Sequence, residues 1–477
     1  MSIRKVLKKL QDLCNIFQFS QNCVTIKLMK NIVDLKIENF AKCLSYPLYF
    51  VGGVVRNFFI DQKFSTDLDV CGATSVEEIE KSLKNHRGKV VASYKRTGTI
   101  VFALNGKKYE YTQFRKDGYS AGGKYQPDEV EFTLDINEDA VRRDFKCNAV
   151  YYDIVGEKFV DPLGGIDDIN NKVLDTVKEP KEVFSHDGLR LMRLARFCGE
   201  LGFTPTQEVI KSARVNASNI EDISVERIWE EIKKILVADQ KYSFSPKDGH
   251  YKALKVLDQT RVLDIIFPQL AQGRGLSQRK DYHNYDVLEH SLRCVLYAPK
   301  NIRISALLHD VAKPILMAKN GNSYGHDKDG AKIAKTLLKG LKADNKTIEK
   351  TYTIISAHML DLDCKIKENK IRKFIINNYD LFEEILALKQ ADFSACKDDL
   401  SISPTVKKWR EIYQKMVDEK VPFSIKQLKI NATDLIELGF KGERIGKELS
   451  LLLELCIDYP KKNDQKTLLN KAKEHLK

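Results

Sequence analysis

The feature that most constrains the fold of this chain is a single change of periodicity near residue 160. Residues 46–152 form short β-type runs separated by turns, and Asn105-Gly106 between two of these runs is a hairpin signal. Beyond residue 165 nearly every segment has helical periodicity, beginning with Asp187–Leu201 and Val225–Leu236. The pattern predicts an α+β protein, with a small mixed-sheet head followed by all-helical domains.

The length and charge of the chain narrow its organisation and its partners. A chain of 477 residues is too long for one hydrophobic core, so we expect two to four domains. The net charge of +13 suits a polyanionic partner, because Lys and Arg that neutralise phosphates release condensed counterions. A lysine-rich surface that serves solubility explains the same charge equally well. Charge alone leaves both readings open.

Cysteine usage and the N-terminus indicate a cytoplasmic protein. The 10 cysteines are scattered and form no C-x-x-C pair, which excludes zinc-ribbon and thioredoxin readings and suits a reducing compartment. No apolar run reaches the roughly 18 residues that cross a bilayer, and the start lacks a signal peptide. Residues 1–28 form a basic, mildly amphipathic extension before Met29, and we expect activity to survive its deletion.

A glycine pair in the β-type region is suited to phosphate binding. Gly52-Gly53 follows the predicted strand Leu48–Val51 and precedes the apolar helix Val54–Ile60. Glycines at such a position let the backbone approach a phosphate, and the helix N-terminus offers free N–H groups and the positive end of its dipole. A plain strand-to-helix turn is the alternative reading of the pair.

Three carboxylates in the same region are suited to a hard cation. Asp67 and Asp69 are one residue apart in a strand-like segment, so both side chains lie on one face and reach the same ion. Glu110 lies between Tyr109 and Tyr111 in another β-type run and completes the set. Oxygen ligands of this kind suit Mg²⁺ and two-metal in-line nucleotidyl transfer. The alternative is a solvated strand edge.

The order of motifs resembles one family from about residue 29 to the end of the chain. This is the class II tRNA nucleotidyltransferase / poly(A) polymerase family, and the chain is most similar to bacterial CCA-adding enzymes with an HD domain. The resemblance rests on five segments in order, namely Val51–Asn57, Thr66–Val70, Arg142–Ala149, Asp161–Gly165 and Asp187–Phe197.

The resemblance implies a polymerase-β-like head in which Asp67, Asp69 and Glu110 hold Mg²⁺. It implies further residues that meet the nucleotide triphosphate and ribose, and these are Gly52, Gly53, Arg56, Arg142, Arg143, Asp144 and Asn148. In the first motif Asn57 stands for the usual Asp, which removes any ionic role at that position.

The resemblance also implies that protein side chains read the incoming base in place of a template. Asp187, Arg190, Arg193 and Arg196 recur at helical spacing and are predicted to share one face. Asp187 accepts and Arg190 donates, which matches the edge of cytosine or adenine, while His186 replaces the family's Glu. An Asp–Arg surface pair on an amphipathic helix is the alternative. The Gly-rich stretch 114–124 resembles the family's flexible loop and favours full CCA or terminal-A addition.

A set of imidazoles and carboxylates lies further along the chain. It suits a mono- or dinuclear transition-metal site, with Ni, Mn, Co or Fe as the expected ion. The set resembles an HD phosphohydrolase, whose chemistry is metal-activated water attacking a phosphoester, and a degenerate HD fold kept for RNA contact is the alternative. His283 is assigned a structural role. The predicted ligands are His290, His309, Asp310, His326, His358 and Asp392.

These patterns together predict five regions. They are an extension (1–28), a nucleotidyltransferase head (29–153), a helical neck for base and RNA binding (154–265), an HD domain (266–400) and a helical RNA-binding tail (401–477).

The leading hypothesis is addition of C, C and A to tRNA 3′ ends from CTP and ATP, with HD end repair. Poly(A) or A-only addition is the runner-up, and an HD phosphohydrolase with a nucleotide-binding head is third. No membrane association or oligomer is predicted.

Overall fold

The computed structural model describes residues 33–62, 68–118 and 129–476. The chain divides into two compact units, Met1–Ile266 and Phe267–Lys477. The predicted extension and Asp67 lie outside the described residues, as does the loop from residue 119 onward. None of the described helices is long and apolar enough to cross a membrane.

The first unit begins with a seven-stranded mixed sheet in the order β3-β4-β5-β2-β1-β8-β9. The pairing of β2 with β5 is parallel and the other pairings in this sheet are antiparallel. Two smaller sheets pair β6 with β7 and β10 with β11. The strands are β1 (Leu48–Val51), β2 (Leu68–Gly72), β3 (Lys89–Tyr94), β4 (Thr99–Leu104), β5 (Lys107–Gln113), β6 (Arg115–Gly118), β7 (Glu129–Phe132), β8 (Tyr151–Asp153), β9 (Lys158–Val160), β10 (Val173–Leu174) and β11 (Thr204–Pro205).

Eleven described helices complete the first unit. They are α1 (Leu35–Lys42), α2 (Gly53–Asp61), α3 (Val76–Asn85), α4 (Ile136–Val141), α5 (Gly165–Asn171), α6 (Pro180–His186), α7 (Leu189–Leu201), α8 (Gln207–Val215), α9 (Val225–Ile235), α10 (Gly249–Gln259) and α11 (Val262–Ile266).

Local signals specified several of these elements. The hairpin predicted at Asn105-Gly106 joins β4 to β5, with φ of 53° and 74° at the two turn residues. Positive φ at both positions is the two-residue turn that Asn-Gly favours. Thr74 and Ser75 were both possible caps for α3, and Ser75 caps it by accepting a hydrogen bond from the Glu78 amide.

The predicted helix starting at Asp187 begins two residues later. Asp187 has an extended backbone, with φ −148° and ψ 106°, and it separates α6 from α7. Its carboxylate accepts a hydrogen bond from the Leu189 amide at 2.8 Å, so it closes the turn before α7. Asp187 therefore does not share a helical face with the three arginines that follow, although all four residues line the same cleft.

The second unit is built from helices among its described residues. A cluster around the fully buried Trp409 joins residues 371–386 to residues 406–421, so the predicted boundary at residue 400 falls inside one hydrophobic cluster. The helices are α12 (Pro268–Ala271), α13 (Val287–Tyr297), α14 (Arg303–Leu308), α15 (Lys313–Asn320), α16 (His326–Gly340), α17 (Asn345–Ala357), α18 (Glu368–Asn377), α19 (Phe382–Lys397), α20 (Pro404–Asp418), α21 (Ala432–Glu437), α22 (Glu443–Asp458) and α23 (Gln465–Leu476).

Candidate functional site

A cleft of about 1170 Å³ opens in the first unit between the sheet and the helices that follow it. Thirteen of the head and neck residues predicted from sequence line it, and Asp67 alone of that set lies outside the described residues. These thirteen are Gly52, Gly53, Arg56, Asp69, Glu110, Arg142, Arg143, Asp144, Asn148, Asp187, Arg190, Arg193 and Arg196.

Two carboxylates lie side by side in this cleft. Asp69 on β2 is the direct register partner of Glu110 on β5. Partners on adjacent parallel strands point to the same face about 4.8 Å apart, and the flanking Tyr109 and Tyr111 point into the core. Gly52 lies beside them, since a Cβ added there would be 3.6 Å from the Asp69 carboxylate. This hard-oxygen donor set fits Mg²⁺.

Gly52 also shapes the turn into α2. Its φ of 70° and ψ of −131° form a backbone conformation that L side chains rarely adopt. No side chain caps α2. The first-turn amides of α2 therefore remain suited to an anion in the cleft.

Arg56 is held in the cleft wall by hydrogen bonds to neighbouring side chains. It is only 2% exposed, and its guanidinium donates to the Asn57 side-chain oxygen at 2.9 and 3.1 Å. It also donates to Asn148 and, at 3.3 Å, to Tyr242. Asn57, the departure from the family's Asp, thus accepts from Arg56 without adding a buried negative charge.

A buried carboxylate that sequence reasoning missed holds two of the cleft arginines. Asp139 is 0% exposed, and one of its oxygens accepts from Arg142 at 2.7 Å while the other accepts from Arg143 at 2.9 and 3.1 Å. Tyr151 donates to the same carboxylate at 2.8 Å. Burial opposes ionisation, but Arg143 and Arg142 prevail and lower the pKa of Asp139 to about 2. The spacing of three and four residues before the arginines was the available signal.

Asp144 links the head to α7. It accepts from Arg193 at 2.6 and 2.7 Å and from Asn148 at 2.9 Å. Burial raises the cost of its charge, yet Arg193 and these hydrogen bonds hold its pKa below the usual range. Asp144 is therefore fully ionised near neutral pH and fixes Arg193 at the cleft.

The predicted base-reading pair is buried in the cleft wall. Asp187 is 8% exposed and Arg190 is 7% exposed, and their closest charged atoms are 4.0 Å apart. Arg190 donates to the main-chain oxygens of Val183 at 3.2 Å and Arg142 at 2.7 Å. Burial outweighs the effect of Arg190 and raises the pKa of Asp187 to about 6.

Three cleft arginines surround one aromatic ring. The guanidinium carbons of Arg56, Arg193 and Arg196 lie 5.1, 5.1 and 4.7 Å from the centre of the Phe197 ring. Cation–π attraction at this range stabilises each arginine and partly offsets their mutual repulsion. Arg196 also pairs with Glu231 at 2.8 Å. Phe197 was part of the motif predicted from sequence, but no role followed from its position there.

The second unit gathers all six predicted HD residues in its interior. The Nε2 atom of His290 lies 2.9 Å from Asp392 and 3.3 Å from the Nε2 atom of His309. Asp310 lies 3.2 Å from the Nε2 atom of His326 and 3.9 Å from that of His358. The six groups come from α13, α16 and α19 and from the turns after α14 and α17.

The hydrogen bonds around this cluster leave metal-binding atoms directed inward. The Nδ1 atoms of His309, His326 and His358 lie 2.7–2.9 Å from main-chain oxygens, which makes each Nδ1 the protonated nitrogen. The Nε2 atoms of His326 and His358 are buried without a hydrogen-bond partner, and the carboxylate of Asp310 faces both of them. Lone pairs arranged in this way fit divalent transition-metal ions.

Two lysines that sequence reasoning missed border the cluster. Lys313 contacts Asp310 at 2.6 Å, and Lys389, 2% exposed, donates to the main-chain oxygens of His358 and Leu360. Lys313 follows Asp310 by three residues, and this spacing was the signal that could have identified it. Lys389 acts on the turn that carries His358, a contact that no local pattern predicts.

Three family models match the chain. The first is described as "Poly A polymerase head domain" over residues 48–175, and the second as "Probable RNA and SrmB- binding site of polymerase A" over residues 202–273. The third is the HD domain over residues 283–384.

Similar curated proteins decide the family. The CCA-adding enzyme of Limosilactobacillus reuteri is 30% identical over 335 residues, which are 64% of this chain and 78% of that protein. The chain belongs to the CCA-adding enzyme family. The CCA-adding enzyme of Geobacillus sp. WCH70 is 37% identical over 51% of this chain, and the A-adding tRNA nucleotidyltransferase of Deinococcus radiodurans is 29% identical over 58%. The matched segments span 56% and 64% of these two relatives.

A solved structure supports the fold of this CCA-adding family member. The crystal structure of the Bacillus stearothermophilus CCA-adding enzyme in complex with CTP superposes with a TM-score of 0.63 at 22% identity. It covers 93% of this chain and 97% of that one. The α+β architecture predicted from sequence, a mixed-sheet head followed by helices, is therefore confirmed. The family resemblance is confirmed by the Limosilactobacillus reuteri relative.

Proposed function

We propose that this protein adds C, C and A to the 3′ end of tRNA from CTP and ATP. The observation that carries the proposal is the cleft of the first unit, in which two adjacent-strand carboxylates face arginines and a buried Asp–Arg pair. Membership of the CCA-adding family supports the same reaction. The partners are accordingly tRNA and the two nucleotides.

The proposed reaction transfers a nucleotidyl group with inversion in line. The RNA 3′-hydroxyl oxygen forms a bond to the α-phosphorus as the bond to pyrophosphate breaks, and the hydroxyl proton passes to solvent. Asp67, Asp69 and Glu110 are proposed to hold Mg²⁺, which when bound would acidify the hydroxyl and steady the leaving pyrophosphate.

The other cleft residues bind and orient the substrates. We assign the triphosphate to the Gly52-Gly53 turn, Arg142 and Arg143, because the turn has open amides and Asp139 fixes both guanidinium groups. Arg56 does not contact the triphosphate in this assignment. It donates a hydrogen bond to Asn148 and so positions that side chain in the cleft. Arg193 and Arg196 provide positive potential near the phosphates.

Asp187 and Arg190 are proposed to select the base. An ionised Asp187 accepts from the amino group of cytosine or adenine, and Arg190 donates to a ring nitrogen or carbonyl. Arg190 is held by two main-chain oxygens, so its orientation is set before the nucleotide arrives. His186, in the position of the family's Glu, is half-buried and its pKa is lowered by burial, so it supports the pair as a neutral group.

Incorporation on a truncated tRNA tests the proposal. The full-length protein is incubated with tRNA lacking CCA, Mg²⁺ and labelled CTP, ATP or both. We expect addition that stops after three nucleotides, with A following two C residues. Asp69→Ala should lower the rate by about 10²–10⁴-fold, because a metal ligand contributes several kcal/mol to transition-state stabilisation. No incorporation by the wild type would refute the proposal.

The same assay distinguishes the alternatives within this chemistry. The Deinococcus radiodurans relative is an A-adding enzyme, and poly(A) synthesis requires the same carboxylates. Addition of A alone to a tRNA that ends in CC, with no use of CTP, indicates an A-adding enzyme. A long A ladder indicates a poly(A) polymerase.

A second activity is proposed for the second unit, because its six inward-facing ligands suit metal-assisted hydrolysis of phosphoesters. Hydrolysis of RNA ends that carry a 2′,3′-cyclic phosphate would serve end repair. The assay uses protein loaded with Ni²⁺, Mn²⁺, Co²⁺ or Fe²⁺ and 2′,3′-cyclic AMP as the probe. We expect turnover that His309→Ala abolishes, and no turnover with any of these ions would contradict the activity.

The arrangement into head (29–153), neck (154–265), HD (266–400) and tail (401–477) remains our proposal for the division of labour. The basic turn region around Gly439 and Gly442 is proposed to contact tRNA phosphates. The cysteines that the structure describes are free thiols, which suits a cytoplasmic reaction.

A further inference from the structure

The thiol of Cys396 lies next to the HD cluster and takes no part in the proposed hydrolysis. Cys396 on α19 and His283, from the segment before α13, are both half-buried. Their ligand atoms and one of the fully buried His290 lie within 4.8 Å of one another. We call His283, His290 and Cys396 the thiol–imidazole site.

The nitrogens of this site lack hydrogen-bond partners. The Nδ1 atoms of His283 and His290 are both buried without one. An unsatisfied buried nitrogen costs about 1–3 kcal/mol, so a pair of them beside a thiol calls for a physical reason. A bound cation supplies that reason, since it accepts both lone pairs.

His290 has two nitrogens with different surroundings. Its Nε2 atom faces Asp392, His309 and Asp310 at 2.9, 3.3 and 3.4 Å. Its Nδ1 atom is left for another ligand. The two nitrogens of one imidazole can serve two different ions when the ring loses its N–H proton and bridges them as an imidazolate.

We propose that the thiol–imidazole site binds a borderline-soft divalent metal ion through His283, His290 and Cys396, adjacent to the HD cluster. This inference rests on the metal centre proposed for that cluster, because the two sites share His290. It revises the structural role that the sequence assigned to His283.

The ligand set and its spacing determine which ion fits. One thiolate and two imidazoles favour Zn²⁺, Co²⁺ or Ni²⁺ over Mg²⁺ or Ca²⁺, which require oxygen ligands. Ligand atoms on a tetrahedral ion lie roughly 3.3–3.6 Å apart for bonds of usual length, which is within the observed limit. Because His283 and Cys396 are half-buried, the fourth position is open to water or a phosphoester.

Binding at this site displaces a proton. The Cys396 thiol now contacts the main-chain oxygen of Asp392 at 3.3 Å. An ion forms a bond to sulfur as the S–H bond breaks, and the proton passes to solvent. When the HD cluster also holds an ion, the N–H bond of His290 breaks as its second nitrogen binds, and that proton passes to solvent as well. Nothing is oxidised or reduced in this step.

Cobalt absorption tests the inference on the full-length protein. Co²⁺ bound to thiolate gives a near-ultraviolet sulfur-to-cobalt charge-transfer band, whereas imidazole and carboxylate ligands give only visible ligand-field bands. We expect the wild type to show both. Cys396→Ser should lose the charge-transfer band and keep the visible bands, and His283→Ala should weaken Co²⁺ binding at the thiol by at least about 10-fold.

Cys364→Ser is the matched control. Cys364 is also a half-buried thiol of the second unit, but its contact is the Thr405 hydroxyl at 3.7 Å, so its loss should leave the band unchanged. Circular dichroism of each metal-free variant verifies folding.

The outcomes separate this inference from the HD proposal. Visible bands without a charge-transfer band in the wild type would overturn the thiol–imidazole site and leave the HD metal centre standing. A charge-transfer band that survives in Cys396→Ser would also overturn the site. Absence of any Co²⁺ absorption would overturn the metal proposals for both.

Discussion

Two buried carboxylates of the cleft, Asp139 and Asp187, respond to burial in opposite ways. Asp139 has two arginines and a tyrosine hydroxyl within hydrogen-bond distance, and these outweigh the cost of burying its charge. Asp187 has one arginine at 4.0 Å and one amide, and burial prevails. The number of close hydrogen-bond donors therefore decides whether the pKa of a buried carboxylate falls, as for Asp139, or rises, as for Asp187.

Asp187 should make cytidine incorporation depend on pH. Its pKa is raised to about 6, so it binds a proton as the pH falls through that value and can no longer accept from the base amino group. We expect kcat/KM for CTP to be highest above pH 6 and to fall about tenfold per pH unit well below it. The measurement is single-nucleotide addition between pH 5 and 8.

The matched variant is Asp187→Asn, which cannot titrate. Its rate should be lower and should lack the inflection near pH 6. The same inflection in this variant would assign the pH dependence to another group.

Asp139 should stabilise the fold through its charge. Its folded-state pKa of about 2 is below the ordinary value of 3.8, so its contribution is complete above pH 4 and is lost as the pH falls through 2. Asp139→Asn should lower the free energy of unfolding at pH 7 by about 2 kcal/mol, measured by urea titration.

Tyr151→Phe is the control for Asp139, because it removes one donor and leaves both arginine pairs. It should cost about 1 kcal/mol. If Asp139→Asn costs no more than Tyr151→Phe, the ion pairs do not stabilise the fold.

Glycines in two of the recognised motifs act on the packing of elements. A Cβ at Gly188 would lie 2.1 Å from the main-chain oxygen of Asn219, and one at Gly165 would lie 2.2 Å from that of Lys146. Because Gly188 has no side chain, the turn between α6 and α7 packs directly against the main chain at Asn219. Asp161, four residues before Gly165, accepts from the amides of Gly165 and Ile166 at 2.8 and 2.9 Å and so begins α5.

Gly188→Ala should displace the start of α7 and with it Arg190. Overpacking against main chain costs about 1–3 kcal/mol, and we expect a loss of that size in the free energy of unfolding together with poorer discrimination between CTP and UTP. Gly446→Ala on α22 is the control, because no atom lies within 4 Å of its added Cβ. It should stabilise the protein by up to about 1 kcal/mol. Equal effects of the two changes would contradict the packing argument.

At the scale of the whole molecule, the two proposed activities use residues of different compact units. Every described residue of the nucleotide cleft lies before Ile266, and all six HD ligands lie after it. The hydrophobic cluster around Trp409 joins residues on both sides of the predicted HD–tail boundary. The chemistry of each unit therefore depends on its own side chains.

Substitutions should accordingly affect one activity at a time. Asp69→Ala should lower the incorporation rate by about 10²–10⁴-fold and leave hydrolysis of 2′,3′-cyclic AMP within about twofold of wild type. His309→Ala should abolish that hydrolysis and leave incorporation within about twofold of wild type. Both rates are measured on the same preparations. Loss of incorporation in His309→Ala, with folding intact, would show that the units depend on each other.

Local chemistry made several elements readable from the sequence. A continuous apolar run specifies β1, alternation around Glu110 specifies β5, and Asn105-Gly106 specifies the turn between β4 and β5. Each depends on interactions within a few residues, and the ordered motifs identified the family for the same reason. The start of α7 was misplaced because Asp187 has an extended backbone and closes a turn onto the Leu189 amide, while Gly188 packs against Asn219, which is remote in sequence.

The sequence by itself determined the α+β architecture, the family, and the residue types available for phosphate, base and metal. Only the tertiary structure decided which of these side chains contact one another. Strand pairing places Glu110 beside Asp69, helix packing turns Arg56 toward Asn148 and Tyr242, and burial gives Asp139 and Asp187 opposite pKa shifts. Periodicity records which face of an element is apolar, whereas contacts between distant segments depend on the packing of the whole unit.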